Sequence, residues 1–86
     1  MSRQKVITTT PSFIPLNKVE SSSIDLLGYD EQSKTLRVHF KEGRMYDYYH
    51  VPKSKYRSVM KAGSIGAYIN KEIKTKYKFS EVSNWK

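Results

Sequence analysis

Tyr46 and Tyr48 stand two residues apart in Met45-Tyr46-Asp47-Tyr48-Tyr49-His50-Val51, a run that reads as a strand. Both rings therefore point to one face of a sheet. Adjacent aromatics on a sheet face can stack nucleobases, and the guanidinium of Arg44, just before them, can contact a base or a phosphate. The face depends on the preceding turn, Lys41-Glu42-Gly43-Arg44. A two-residue loop over Glu42 and Gly43 pairs Lys41 with Arg44. It sets His39 opposite Tyr46 and Arg37 opposite Tyr48, leaving an exposed polar and aromatic platform. A three-residue loop with Gly43 as the bulge pairs Phe40 with Arg44 and puts both tyrosines opposite Val38 and Leu36 on the core face. One residue of slip exchanges the two outcomes. Phe-Lys-Glu-Gly suits the bulged turn slightly better.

Two other groups of residues can bind anions. Ser64-Ile65-Gly66 reads as the opening of a helix, where free backbone N–H groups attract negative charge. There Gly66 would let a phosphate or another backbone come close. The plainer alternative is that Ser64 only caps the helix and Gly66 only packs on the sheet. Tyr68 and Asn70 are the nearest polar side chains; Asn70 could bond a base, a phosphate or a loop carbonyl. The second group is Lys53, Lys55, Arg57 and Lys61, followed by Lys71, Lys74, Lys76 and Lys78, with Glu72 alone among them as an acid. Such density can follow a phosphate backbone, although charge runs usually serve as solvated faces.

Catalytic and metal chemistry find little support. His39 and His50 fall on neighbouring strands, but Asp47 is an odd number of residues from His50 and points to the other face. No spacing resembles a zinc site. Ser21-Ser22-Ser23 has no evident base, and no paired carboxylates are legible, so the chain is expected not to be an enzyme and to need no cofactor.

The elements that carry these residues emerge from periodicity. Residues 1–18, punctuated by Pro11 and Pro15, read as an extended arm. Its apolar Val6, Ile7, Phe13, Ile14 and Leu16 suit packing on the domain or on a second subunit. A strand is expected from Ser23 to Tyr29, then a polar turn over Asp30-Glu31-Gln32-Ser33-Lys34. Leu36, Val38 and Phe40 alternate with Thr35, Arg37 and His39, the pattern of a half-buried strand. Pro52 suits the first turn of a helix whose apolar stripe is Tyr56, Val59 and Met60, with Gly63 as its stop. Ile65, Ile69 and Ile73 line the buried face of a second helix and put Lys71 and Lys74 on the outer one. Tyr77-Lys78-Phe79 can be extended, with Val82 or Trp85 anchoring the end. The expected class is α+β: a small three-stranded antiparallel sheet followed by two short α-helices, with the domain at 19–79 and a tail at 80–86.

Composition limits the function further. The 86 residues include no cysteine, which removes disulfides, thiolate metal sites and cysteine nucleophiles. No apolar run approaches the ~18 residues of a membrane span, and the basic start has no apolar core of a secretory signal. A cytoplasmic protein is the expectation. The net charge of +8 is uneven: +3 in residues 1–18, −2 in 19–51 and +7 in 52–86. Concentrated positive charge favours a polyanionic partner.

Several spaced motifs also resemble one known family. Val19-Glu20-Ser21-Ser22-Ser23-Ile24 followed by Leu27-Gly28-Tyr29-Asp30 resembles the opening of the KTSC domain. The similarity continues through Gly43-Arg44-Met45-Tyr46-Asp47-Tyr48, Val51-Pro52, Tyr56, Ser64-Ile65-Gly66-Ala67-Tyr68-Ile69-Asn70, Ile73 and Tyr77, spanning roughly residues 19–77. The family takes its name from the C-terminus of some lysyl-tRNA synthetases and also occurs as small stand-alone bacterial and phage proteins. That association implies RNA binding. Charge and resemblance together favour a non-catalytic module that binds RNA or another nucleic acid. Arg44, Tyr46, Tyr48 and Tyr68 would contact bases, and Lys71 and Lys74 phosphate. Two alternatives use other partners. One is a phage-type protein that sequesters a nucleotide signal in a pocket shared between subunits, with the N-terminal arm joining a homo-oligomer. The other is a protein-interaction module.

Overall fold

The structure is a computed structural model that describes residues 14–82. Its strands form one antiparallel sheet of five, in the order β1-β2-β3-β4-β5. β2 (Ile24–Asp30), β3 (Thr35–Phe40) and β4 (Met45–Tyr48) are the three strands expected from periodicity. β1 (Asn17–Lys18) and β5 (Phe79–Glu81) add an edge on either side, so the expected three-stranded sheet is corrected to five. Two- and three-residue strands are too short to leave a period-two signal. β1 lies inside the expected arm, and β5 runs across the boundary placed at residue 79. The expected arm before Ile14 and the Trp85 anchor lie outside the described residues.

The turn between β3 and β4 decides which way the tyrosines point. The Phe40 N–H donates to the Arg44 carbonyl and the Gly43 N–H to the Phe40 carbonyl, each at 2.9 Å. Gly43 takes φ +116°, a conformation that a side chain would oppose. This is the three-residue bulged loop, and it pairs Val38 with Tyr46 and Leu36 with Tyr48. Both tyrosines therefore face the core side, with Phe40 beside them. At the β2–β3 turn, Asp30 Oδ2 accepts from the Ser33 amide at 2.9 Å and its hydroxyl at 2.6 Å.

α1 (Lys53–Lys61), α2 (Ile65–Tyr68) and a π turn (Ile69–Ile73) cover that same face. Ile24, Leu27, Leu36, Val38, Val51, Val59, Ile69 and Ile73 are fully buried between sheet and helices. Tyr56 stacks on Tyr29 with centroids 4.7 Å apart, and the Tyr29 hydroxyl donates to the Val51 carbonyl at 2.5 Å. The stripe of α1 is thus Tyr56 and Val59. Met60, expected in it, is 41% exposed, because it lies about 100° round the helix from Val59. α1 ends at Ala62 in extended backbone, one residue before the expected Gly63 stop.

The opposite face of the sheet is covered as well, which a half-buried β3 did not anticipate. Thr35, Met45 and Asp47 are each 1% exposed and Arg37 is 7% exposed. Gly28, paired with Arg37, lies under the Ile14–Leu16 segment. A Cβ there would stand 2.4 Å from the Pro15 carbonyl oxygen and 2.8 Å from Ile14 Cγ2. Ile14 itself is buried. Among the described residues, no helix is long and apolar enough to cross a membrane.

Candidate nucleic-acid interface

The register set by Gly43 gathers an aromatic cluster at one corner of the sheet. Phe40 ends β3, Tyr46 and Tyr48 lie on β4, and Phe79 opens β5 opposite Tyr48. Tyr46 meets Phe40 edge-on at 5.7 Å and Phe79 edge-on at 5.6 Å, and Tyr48 lies 5.7 Å from Phe79. Together with Glu42, Arg44 and Lys74 these four rings line a cleft of about 290 Å³. Tyr48 is 2% exposed and forms its floor, whereas Phe79 is 56% exposed. Burial pushes the Tyr48 phenol up to about 12, so it carries no charge near neutrality.

Two cations stand at the rim. Tyr46 above all, with Glu42 and Glu81, raises the pKa of the Arg44 guanidinium and holds it charged. The Glu42 carboxylate lies 3.7 Å from Arg44 Nε, both side chains being largely in water, so that pair is worth little. Lys74 sets its ammonium 5.5 Å from the centre of the Phe40 ring, a cation–π contact. This corrects the expectation that Lys74 points outward with Lys71. The Lys74 N–H donates to the Ile69 carbonyl at 2.8 Å, five residues back instead of four. The extra residue in that turn rotates the downstream residues by about 100° relative to an uninterrupted α-helix. Lys74 thereby reaches back over the sheet.

The expected helix-start site is built differently. Ser64 Oγ accepts from the Ala67 N–H at 3.3 Å, the bond of an ordinary cap. Gly66 is buried: a Cβ there would lie 2.3 Å from Ser23 Oγ and 3.2 Å from Ser21 Oγ. Its missing side chain admits the Ser21–Ser23 loop. Ser64, Tyr68 and Lys71 line a separate, open depression with Ala62, Gly63, Ala67 and Glu72. Lys55 lies 5.8 Å over the Tyr68 ring and 3.7 Å from Glu72, which also binds Lys76 at 2.9 Å and is held below the usual carboxylate range chiefly by it. Asn70 is exposed on the π turn.

Of the nine residues singled out in the sequence, Arg44, Tyr46, Tyr48 and Lys74 meet in the cleft. Ser64, Tyr68 and Lys71 share the other depression, and Gly66 and Asn70 belong to neither lining. Phe40, Glu42 and Phe79 were not anticipated in the site. Phe40 was legible only as a core residue of β3, and nothing local signals that Phe79 returns beside β4.

The far face holds the other polar groups. Arg37 binds Asp47 through two bonds, Nε to Oδ1 at 2.7 Å and Nη2 to Oδ2 at 2.9 Å. Asp25 accepts from Lys18 at 3.2 Å and lies 3.3 Å from His39 Nδ1, and Lys18 above all holds its carboxyl below the usual range. His50 stands exposed between β4 and α1 with φ +59°. Among the described residues no three His, Cys, Asp or Glu side chains group to hold a metal ion.

Comparison with known proteins places this architecture. The KTSC domain family model matches residues 20–77. A lysine–tRNA ligase of Nostoc punctiforme is 39% identical over 69 residues, which make up 80% of this chain and 12% of the ligase. The chain thus corresponds to a small part of that enzyme's length. A protein of Tsukamurella paurometabola is 33% identical over 63 residues, covering 73% of this chain and 94% of that one. Among solved structures, a KTSC domain protein from Yersinia pestis superposes with a TM-score of 0.77 at 29% identity, covering 83% of this chain and all of the other.

Proposed function

The chain belongs to the KTSC domain family, and on that premise we propose that it is a non-catalytic nucleic-acid-binding module with RNA as its preferred ligand. The observation that carries the reading is the cleft: the exposed ring of Phe79 shares its lining with Tyr46 and with the cations Arg44 and Lys74. A base can stack on Phe79 while its flanking phosphates meet the two cations. At about 290 Å³ the cleft holds one base more readily than a whole enclosed nucleotide. The net charge of +8 supports attraction to a polyanion. Similarity to part of a ligase named for tRNA favours RNA over DNA.

The test is fluorescence anisotropy of labelled single-stranded RNA, double-stranded RNA and DNA over a range of salt. Single-stranded RNA should bind with affinity that falls linearly on a log–log salt plot. Phe79→Ala should weaken it by about 5- to 150-fold, the ~1–3 kcal/mol of one stacked base. Lys74→Ala and Arg44→Ala should each lower the salt slope by ~0.7. Lys71→Ala reports whether the strand continues to the second depression. Undiminished binding by Phe79→Ala refutes the cleft as the site. A mononucleotide that competes as well as the oligomer would support a nucleotide ligand instead. Absence of all binding at low salt refutes the proposal and turns attention to protein partners.

A further inference from the structure

The cleft also carries a means of choosing among bases. Among the described residues its lining holds a single acid, Glu42, beside two cations. The position works against phosphate binding in general, since a carboxylate repels the backbone that Arg44 and Lys74 attract. Arg44 is its ion-pair partner at 3.7 Å, and 61% of its side chain is exposed, so it is not committed to holding the turn together. The turn is set by the Phe40, Gly43 and Arg44 backbone, not by this side chain.

An ionised carboxylate only accepts hydrogen bonds, and it offers two oxygens side by side. The pairing edges of the four RNA bases differ in what they present to such a group. Guanine presents two adjacent donors, N1–H and the 2-amino group. Adenine and cytosine each place an acceptor nitrogen beside their amino group, and uracil flanks its single N–H with two carbonyls. Only guanine meets both oxygens without setting an acceptor against one of them. We propose that Glu42 makes the cleft a guanine subsite: the base stacks on Phe79 and its pairing edge is bound by the Glu42 carboxylate. Arg44 then stays with Tyr46 and the adjacent phosphate. This inference rests on the cleft being the nucleic-acid site.

The test uses the full chain and labelled eight-nucleotide uridine RNAs in which one central residue is uridine, guanosine, inosine, adenosine or cytidine. The guanosine oligomer should bind about 5- to 10-fold more tightly than the uridine, adenosine and cytidine ones, the lower part of the discrimination a two-bond base contact gives. Inosine, which keeps N1–H but lacks the 2-amino group, should fall between. E42Q should abolish the guanosine preference and at the same time tighten the all-uridine oligomer, because a repulsive charge is gone. A general loss of folding cannot produce two changes of opposite sign. Equal affinities for all five oligomers, with Phe79→Ala still weakening binding, would overturn the guanine subsite and leave nucleic-acid binding standing. A guanosine preference unchanged in E42Q would overturn the role of Glu42. Failure of every oligomer to bind would overturn both readings.

Discussion

Replacing Asp47 by alanine removes the carboxylate that binds the buried Arg37 guanidinium through two bonds. The two bonds are short, 2.7 and 2.9 Å, and the side chains are 9% and 1% exposed, so water cannot take the carboxylate's place. Breaking such a pair costs ~3–5 kcal/mol. A chain of this length is expected to have a total stability of roughly 0.05–0.15 kcal/mol per residue, so the single change removes a large share of it. In urea, with a slope of ~1 kcal/mol per molar, the midpoint should fall by ~3–5 M. The decisive comparison is with the double variant Arg37→Met, Asp47→Leu. It removes the charge and its partner together and should recover to within ~1 kcal/mol of the parent, because two desolvated ions roughly cancel their own attraction. Equilibrium unfolding of the three proteins, monitored by circular dichroism, supplies all the numbers. A loss below ~1 kcal/mol in Asp47→Ala would refute the claim that the guanidinium is trapped. A double variant as unstable as the single one would show that shape, not uncompensated charge, sets the cost.

Burial also fixes the outcome of two other perturbations. Gly28→Ala should destabilise by ~1–3 kcal/mol, since its Cβ meets the Pro15 carbonyl at 2.4 Å and backbone must move, whereas Gly63→Ala, with nothing within 4 Å, should gain ~0.4–1 kcal/mol from a less flexible unfolded chain; urea midpoints shifting in the same direction would refute the packing account. Because burial raises the Tyr48 phenol to about 12, its stabilising share is complete below the ordinary tyrosine value near 10 and is lost as pH rises toward 12; alkaline titration at 295 nm with parallel unfolding curves should show a shallower alkaline loss in Tyr48→Phe, and identical slopes would refute it.

The strands β2, β3 and β4 were legible because alternation and a Gly-containing turn are local signals. The choice between the two tyrosine faces was not, because it hung on one residue of register that the bulge at Gly43 decides. The outer strands were not, because β1 and β5 are defined by partners instead of by their own pattern. Phe79 illustrates the point: it completes the cleft only because residues after the helices return to β4. Arg37 was read as an outward residue of a half-buried strand, and Asp47 only as lying on the opposite face from His50. Both are buried, and the Ile14–Leu16 segment lies over Gly28, the β2 partner of Arg37, a contact between distant parts of the sequence. Ser64 and Gly66 show the converse, in which a pattern suited to phosphate serves a cap and a close loop contact.

The π turn makes the two halves of its helix answer to different demands. Upstream, Ile65 and Ile69 keep step with the core; downstream, Lys74 is aimed at the aromatic corner. In an uninterrupted α-helix the two settings would be locked, and moving the cation would mean moving the isoleucines. One additional residue acts as a phase adjuster between them. The hydrophobic seam can then be retained through sequence change while the ammonium is re-aimed, by gaining or losing a residue between Ile69 and Lys74. Charge placement in this domain is therefore open to change by length as well as by substitution.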